Sequence, residues 1–396
     1  MTAPGSPTPD RPSGKDRSSD VDRAGVARLF TQGLDEAFAA LGCFNLAVFG
    51  KTGSGKSTLV NAIFGEQVAQ TGVGQPVTKG LNYHRHPGGF LGLYDSEGFE
   101  TGTSGDAILA GLRQWVTDHR SLPVDQQIHA AWYLVRWSDR RLEVPQESFI
   151  TALDELGLPV IGVLTQVPQR AGEVHPEAIE FAEYIASRGL PLRPDGRMIP
   201  TNALSDPFTG SDVFGLDQLL QATYQVVPEV ATAALTAAQI VDRERKRQAA
   251  RRVIRQSVAV AAGVGATPIP FSDAALLVPT QVSMIARITA AYGLPAGRSK
   301  ALAAVASTVL TGGATMAGRY LVTNLLKVVP GGAVAGSAIS GTVAATVTRA
   351  VGAAWMSVCE HAISLEPTER DDFLAGPGPR QLFTAVLKRG GTTDLR

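Results

Sequence analysis

Cysteine is nearly missing from this chain: two residues in 396, Cys43 and Cys359, far apart and without CxxC or CxxH spacing. That excludes a disulfide framework and a cysteine-based zinc site, and makes a reducing compartment the expectation. Charge of either sign is also scarce, at 18% of residues, and 36 Lys+Arg balance 36 Asp+Glu to a net of +0. No global field draws the chain onto nucleic acid, so no specific nucleic-acid contact is expected and any charge effect must be local. The six histidines form no HExxH or comparable ligand spacing and no GxSxG element occurs, which argues against zinc-hydrolase and serine-hydrolase chemistry. Residues 1–20 hold almost no apolar side chains and read as a disordered tail rather than a secretory or transit signal, so a cytoplasmic protein is expected. What is abundant is small and apolar: hydrophobic residues make up 44% and glycine contributes 42 residues, concentrated toward the C-terminus. The length allows two or three domains.

Along residues 21–41 the apolar positions Val26, Leu29, Phe30, Leu34, Phe38 and Leu41 recur at threes and fours, the period of an amphipathic helix. A short apolar run at 44–49, closed by glycine, suits a buried parallel strand. Strand-like and helix-like stretches then alternate at 90–94, 107–117, 130–135, 146–156, 160–165, 177–187, 198–201 and 216–226. This alternation predicts an α/β fold, a mainly parallel sheet flanked by helices. We divide the chain into a tail (1–20), an α/β domain with its N-terminal helix (21–230), a basic helical linker (231–256), an all-α Ala/Gly-rich domain (257–364) and a C-terminal tail (365–396).

The most informative stretch is Gly50-Lys51-Thr52-Gly53-Ser54-Gly55-Lys56-Ser57-Thr58, a GxxxxGK[ST] loop directly after the first strand and before a helix. A loop that wraps a phosphate with main-chain N–H groups needs glycine, because a Cβ would hold the anion off. The helix opening at Lys56 adds its unsatisfied donors and dipole. Lys56 supplies a point charge for the β- and γ-phosphates, and the Ser57 hydroxyl a ligand for Mg²⁺.

Downstream, the apolar strand Leu91-Gly92-Leu93-Tyr94 runs into Asp95-Ser96-Glu97-Gly98, a DxxG sequence at a strand end. Asp95 is expected to hold Mg²⁺ through water and the Gly98 N–H to sense the γ-phosphate, as in the GTPase class of P-loop proteins. Between the two motifs the glycine-rich segment 72–80 carries Thr78, whose hydroxyl is within reach of the metal when a triphosphate is bound. Lys56, Thr78 and Gly98 are thus the catalytic candidates, and Ser57, Thr78 and Asp95 the metal candidates.

The run from Phe49 to Ala62, with Pro76-Val77-Thr78, resembles the translation-factor-related GTPases, among them the septin, chloroplast import receptor, immunity-related and Era-like groups. The resemblance covers about residues 44–227. It implies GTP as the ligand, Mg²⁺ as cofactor, hydrolysis of GTP and a possible nucleotide-dependent homodimer. In that superfamily an [NT]KxD motif reads guanine; the corresponding strand here ends in Thr165-Gln166-Val167-Pro168, so proline stands where the aspartate is found. The stem of Gln166 is placed to cover one base face, and Asn202-Ala203 resembles the loop whose main-chain N–H reads the guanine carbonyl. The residue after DxxG, often a water-orienting glutamine, is Phe99, so slow intrinsic turnover is expected. Glu97, Glu100, Arg140 and Arg141 are candidates for assistance, against the commoner reading of solvated surface charge.

Residues 254–362 resemble a domain of unknown function found after GTPase domains and linked to bacterial membranes. The stretches 301–318 and 328–348 carry no ionisable residue, and the second is long enough to cross about 30 Å of hydrocarbon as a helix. Gly332 and Gly336 form a GxxxG pair. The same stretches are rich in Ala, Gly, Ser and Thr, which fits a tightly packed bundle as well as a membrane element. The basic segment 243–255 suits an anionic lipid surface, and peripheral docking is favoured over insertion. The expectation is a Mg²⁺-dependent GTP switch coupled to a helical domain that docks on a membrane or a protein. Two alternatives stand beside it: a helical scaffold whose nucleotide domain barely hydrolyses, and an ATP-specific P-loop protein.

Overall fold

The computed structural model describes residues 17–65, 75–78, 81–96, 103–119, 121–207, 210–264, 273–294 and 341–388. Nine strands and twelve helices occur among them. The strands are β1 (Phe44–Gly50), β2 (Gln75–Thr78), β3 (Leu81–Arg85), β4 (Leu91–Ser96), β5 (Ala130–Arg136), β6 (Val160–Thr165), β7 (Gln169–Arg170), β8 (Glu173–Val174) and β9 (Met198–Pro200). The helices are α1 (Arg17–Leu41), α2 (Lys56–Phe64), α3 (Thr103–His119), α4 (Val144–Glu155), α5 (Pro176–Ser187), α6 (Leu216–Val226), α7 (Glu229–Ala238), α8 (Arg243–Val264), α9 (Asp273–Ala291), α10 (Gly341–Ser364), α11 (Pro367–Ala375) and α12 (Gly378–Lys388).

Seven strands form one sheet in the order β2-β3-β4-β1-β5-β6-β9. The β4-β1-β5-β6-β9 portion is parallel, and β2 and β3 add an antiparallel edge. A parallel strand is covered on both faces, which is why β1 and β6 are buried at every position. Alternate residues divide between the two sides. Ala47, Phe49, Ala131 and Tyr133 pack with Leu112 of α3, Phe149 and Leu153 of α4, and Phe181 and Ile185 of α5. On the other side Trp132, fully buried, stacks on Phe64 of α2 at 5.8 Å and donates its indole N–H to Thr223 Oγ1 of α6 at 3.1 Å.

Contacts divide the chain into two compact units, one of Asp35–Arg252 with Arg287–Gly297, the other of Met1–Leu34, Val253–Ala286 and Arg298–Arg396. In the second, small residues let helices approach closely: a Cβ at Gly352 of α10 would come within 2.8 Å of Ile254 Cγ1 and 3.0 Å of Met284 Sδ. Trp355, fully buried, meets Phe383 of α12 edge-on at 6.3 Å. Among the described residues no helix is long and apolar enough to cross a membrane. The stretch 301–318, the Gly332/Gly336 pair and most of 328–348 lie outside the described residues.

Two features differ from the sequence reading. The first helix begins at Arg17 rather than at residue 21. The basic segment is not one linker helix, because the chain leaves helix after Ala238 and re-enters it at Arg243. The break is encoded locally: the Gln239 amide bridges to Asp242 main chain, and Asp242 Oδ1 accepts from the Arg245 N–H at 2.8 Å, capping α8. Much of the basic charge is spent inside the fold. Arg245 pairs with Asp242 and lies 3.8 Å over the Tyr224 ring, and Arg247 and Arg251 both reach Glu244. Lys246 is 1% exposed and donates to the carbonyls of Ala237 at 2.7 Å and Tyr292 at 3.1 Å. Burial pushes its ammonium down to about 7, while carbonyls at two helix ends favour the charged form.

Acid sensitivity follows from two histidines of the same unit. Burial lowers the imidazole of His86, which packs tilted against the Phe90 ring at 4.6 Å, to about 4, and lowers that of His129, whose Nδ1 accepts from the Asn45 N–H at 2.9 Å. Both are neutral in the fold and protonate more readily once unfolded, near pH 6.5. Between that value and the folded one the unfolded chain binds more protons, so stability falls as pH falls. Denaturant unfolding at pH 7 and pH 5 is expected to show a loss of about 1–2 kcal/mol from His86, and His86→Gln a shallower slope. Equal slopes would contradict this assignment.

Candidate functional site

The loop 50–55 leaves β1 and enters α2 through main-chain geometry that side chains would block. A Cβ at Gly50 would stand 2.7 Å from both the Leu134 carbonyl and Ser54 Oγ, and Gly55 caps α2 in the left-handed region at φ 88°. The loop is tied across itself by Ser54 N–H to the Lys51 carbonyl at 3.1 Å. Lys56 Nζ lies under it, donating to the carbonyls of Gly50 at 2.9 Å and Lys51 at 3.3 Å. Burial lowers its ammonium from the ordinary lysine value, and the carboxylate of Asp95 works in the opposite direction. The amine is thus held at the loop's centre, on acceptors that an incoming phosphate can replace.

Lys56, Ser57 and Asp95 converge on a cavity of about 40 Å³, which His84 of β3 also lines. Among the described residues no group of three or more His, Cys, Asp or Glu side chains is arranged to hold a metal. The donor set here is instead one hydroxyl and one carboxylate beside a phosphate loop, which fits a Mg²⁺ ion that takes its remaining oxygens from phosphate and water. Ser54 Oγ is buried without a hydrogen-bond partner among the described residues, a further polar atom left over in the loop. Thr78 falls at the end of β2, with its side chain outside the described residues, as is the whole of Gly98. Glu97, Phe99 and Glu100 are outside them too.

The flank of the loop is fixed by charge. Lys51 Nζ meets Glu143 Oε1 at 2.9 Å, and this hydrogen bond holds the Glu143 carboxyl below its usual range. Glu143 also opens α4 through a capping box with Gln146, so the loop and that helix share one carboxylate. Thr52 faces a cavity of about 350 Å³ on this side, with Arg136 and Arg141 on its wall. Arg141 pairs with Glu143 at 3.4 Å, and Arg140 pairs with Glu177 and lies 5.6 Å over the Trp137 ring. Lys51 therefore presents its main chain to the loop while its ammonium is directed to Glu143.

Opposite, a cavity of about 460 Å³ is bounded by Gly55 and Thr58 of the phosphate loop, by Thr165, Gln166 and Pro168 after β6, and by Asn202, Ala203 and Leu204 after β9. Thr165 Oγ1 lies 2.7 Å from the Ser54 carbonyl, and Gln166 Nε2 donates to the Gly53 carbonyl at 2.9 Å. Gln166 reaches it from the left-handed region, φ 57°. The last residue of β6 and the one after it thus brace the phosphate loop directly. Asn202 lines the cavity and also organises its loop: its amide donates to the carbonyls of Leu204 at 2.7 Å and Asp212 at 3.0 Å. Leu204, 67% exposed, presents an aliphatic face at the cavity's edge.

Gly50, Lys51, Thr52, Gly53, Ser54, Gly55, Lys56, Ser57, Thr58, Asp95, Thr165, Gln166, Asn202 and Ala203 are therefore neighbours along one edge of the sheet, at the C-terminal ends of β1, β4, β6 and β9. That is where an open parallel sheet binds ligands. Glu143, Leu204, Asp206 and Ser211 escaped the sequence reading. For Glu143 the signal was a Glu-Val-Pro-Gln helix start; the other three belong to a turn rich in Ser, Asp, Pro and Gly.

Residues 45–165 match the family model described as 50S ribosome-binding GTPase, and residues 230–374 match the Domain of unknown function (DUF697). No curated protein matches the chain. One similar solved structure is the crystal structure of a probable GTP-binding protein engB, 18% identical, covering 46% of this chain and 97% of that one at a TM-score of 0.32. Together, the matched family model, the loop and the sheet order give the first of these regions the fold of a P-loop GTPase domain.

Proposed function

We propose that this protein is a Mg²⁺-dependent GTP-binding switch that hydrolyses GTP slowly, and that its nucleotide state controls a helical C-terminal domain docking on a partner protein or, peripherally, on an anionic membrane surface. One observation carries the nucleotide reading: Thr165 and Gln166 brace the carbonyls of Ser54 and Gly53, joining the phosphate loop and the 460 Å³ cavity into a single cradle. In this reading the base occupies the cavity and the triphosphate the loop. Main-chain N–H groups of 51–56 bind the phosphates, and Lys56 places its positive charge among them. Ser57 and Asp95, with Thr78, are the residues to hold Mg²⁺, which when bound neutralises charge on the phosphate oxygens. Gln166 and Leu204 cover the two faces of the base.

Slow turnover rests on Phe99, which has no group to orient water. Phosphate release from GTP by the full chain is expected to be measurable with Mg²⁺, to vanish with chelator, and to stay far below the rates of about 1–100 s⁻¹ typical of kinases. Rapid release unaffected by chelator would overturn this reading. Support for docking comes from α8, where Arg243, Arg252 and Arg255 are exposed. Sedimentation with anionic vesicles, compared with neutral ones, tests the membrane arm; equal recovery in both removes it.

A further inference from the structure

The base end of the cradle has a carboxylate that neither the motif nor the family model assigns. We infer that Asp206 is the group that selects guanine, taking over a task that Pro168 has no side-chain polar atom to perform. The inference rests on the nucleotide reading above.

Asp206 is the one carboxylate among the described residues bounding the 460 Å³ cavity, and no cationic side chain bounds it. Its place is built by a closed turn. The Asn202 and Phe214 main chains exchange hydrogen bonds at 3.1 and 3.0 Å at the turn's base. Further out, Asp206 N–H donates to the Ser211 carbonyl at 2.9 Å and Gly210 N–H to the Asp206 carbonyl at 2.8 Å. The turn is set against the strand-β6 loop, because Ser211 Oγ accepts from the Gln169 N–H at 3.4 Å, one residue beyond Pro168. Asp206 thereby lines the same cavity as Pro168, whose side chain offers no acceptor.

The chemistry is discriminating. Guanine presents two adjacent donors, N1–H and the exocyclic N2 amine, which an ionised carboxylate accepts as a pair. Adenine presents an acceptor at N1 and no amine at C2, so the same carboxylate repels it. Inosine triphosphate lacks only the amine. Xanthosine triphosphate replaces it with a carbonyl, which an Asp rejects and an Asn amide complements.

The test is equilibrium binding of GTP, inosine triphosphate, xanthosine triphosphate and ATP to the full chain and to Asp206→Asn. The wild type is expected to bind GTP about tenfold more tightly than inosine triphosphate, as one bond to a charged acceptor is lost. Asp206→Asn is expected to weaken GTP by roughly 10–100-fold and to strengthen xanthosine triphosphate, inverting their order. A structural role for Asp206 would weaken all four alike and invert nothing. Wild-type protein that binds GTP and inosine triphosphate equally, or a variant with unchanged ratios, overturns the inference while leaving nucleotide binding intact. Wild-type protein that binds no guanine nucleotide overturns both. The wild-type comparison needs no variant to fold.

Discussion

Lys56→Ala is expected to lower affinity for GTP by at least about 100-fold while leaving the thermal transition nearly unchanged. The amine donates to the carbonyls of Gly50 and Lys51 and is only partly screened from water. Those carbonyls face the phosphate site, so removing the amine exposes them to solvent rather than stranding them in a core, and folding loses little. With a triphosphate bound, the same amine is expected to lie among the β- and γ-phosphates, where a charge-assisted bond in a site shielded from bulk solvent is among the strongest available. Titration of labelled GTP into both proteins, with circular dichroism to confirm the fold, reads the two effects separately. Equal affinity would remove Lys56 from the site.

Trp132→Ala is expected to have the largest effect on stability. The indole is fully buried between β1 and β6, stacked on Phe64 at 5.8 Å and bonded to Thr223 at 3.1 Å. Truncating a side chain of that size in a close-packed core costs about 3–5 kcal/mol, from lost burial and from a cavity that relaxes incompletely. Trp132→Phe keeps an aromatic partner for Phe64 and loses the bond to Thr223, so its cost is expected to be about 1–2 kcal/mol. Because Phe64 ends the helix that Lys56 begins, the alanine variant is also expected to weaken GTP binding. Denaturant midpoints for the three proteins, ordered wild type, Phe, Ala, check the ladder; a stable alanine variant would contradict the packing described here.

Much of the α/β domain was legible because burial leaves a mark on sequence. β1, β5 and β6 are covered on both faces and read as unbroken apolar runs, and α5 and α6 carry an apolar stripe. The antiparallel strands β2 and β3 were not, since β3 is Leu-Asn-Tyr-His-Arg and half exposed, without either alternation or a continuous run. The phosphate loop was legible because its chemistry demands glycine at fixed spacing. Thr165 and Gln166 were named for their place after a strand, but their bonds to Ser54 and Gly53 connect positions more than a hundred residues apart, which no local pattern encodes. The buried Lys246 was hidden for a related reason: in a run of seven basic residues nothing local marks the one that turns inward to two helix ends. Asp206 was overlooked because a Ser-Asp-Pro turn is ordinary, and only the packing of its turn onto the Pro168 loop brings it to the wall of the 460 Å³ cavity.

The main-chain cradle centred on Lys56 is proposed to take the triphosphate of a guanine nucleotide. Competition on the full chain tests it most directly: unlabelled GTP and ATP, each with Mg²⁺, titrated against bound labelled GTP. GTP is expected to displace the label at stoichiometric saturation and ATP to need a concentration at least about 100-fold higher. Failure to bind the label, or displacement by ATP at the same concentration as GTP, would contradict it.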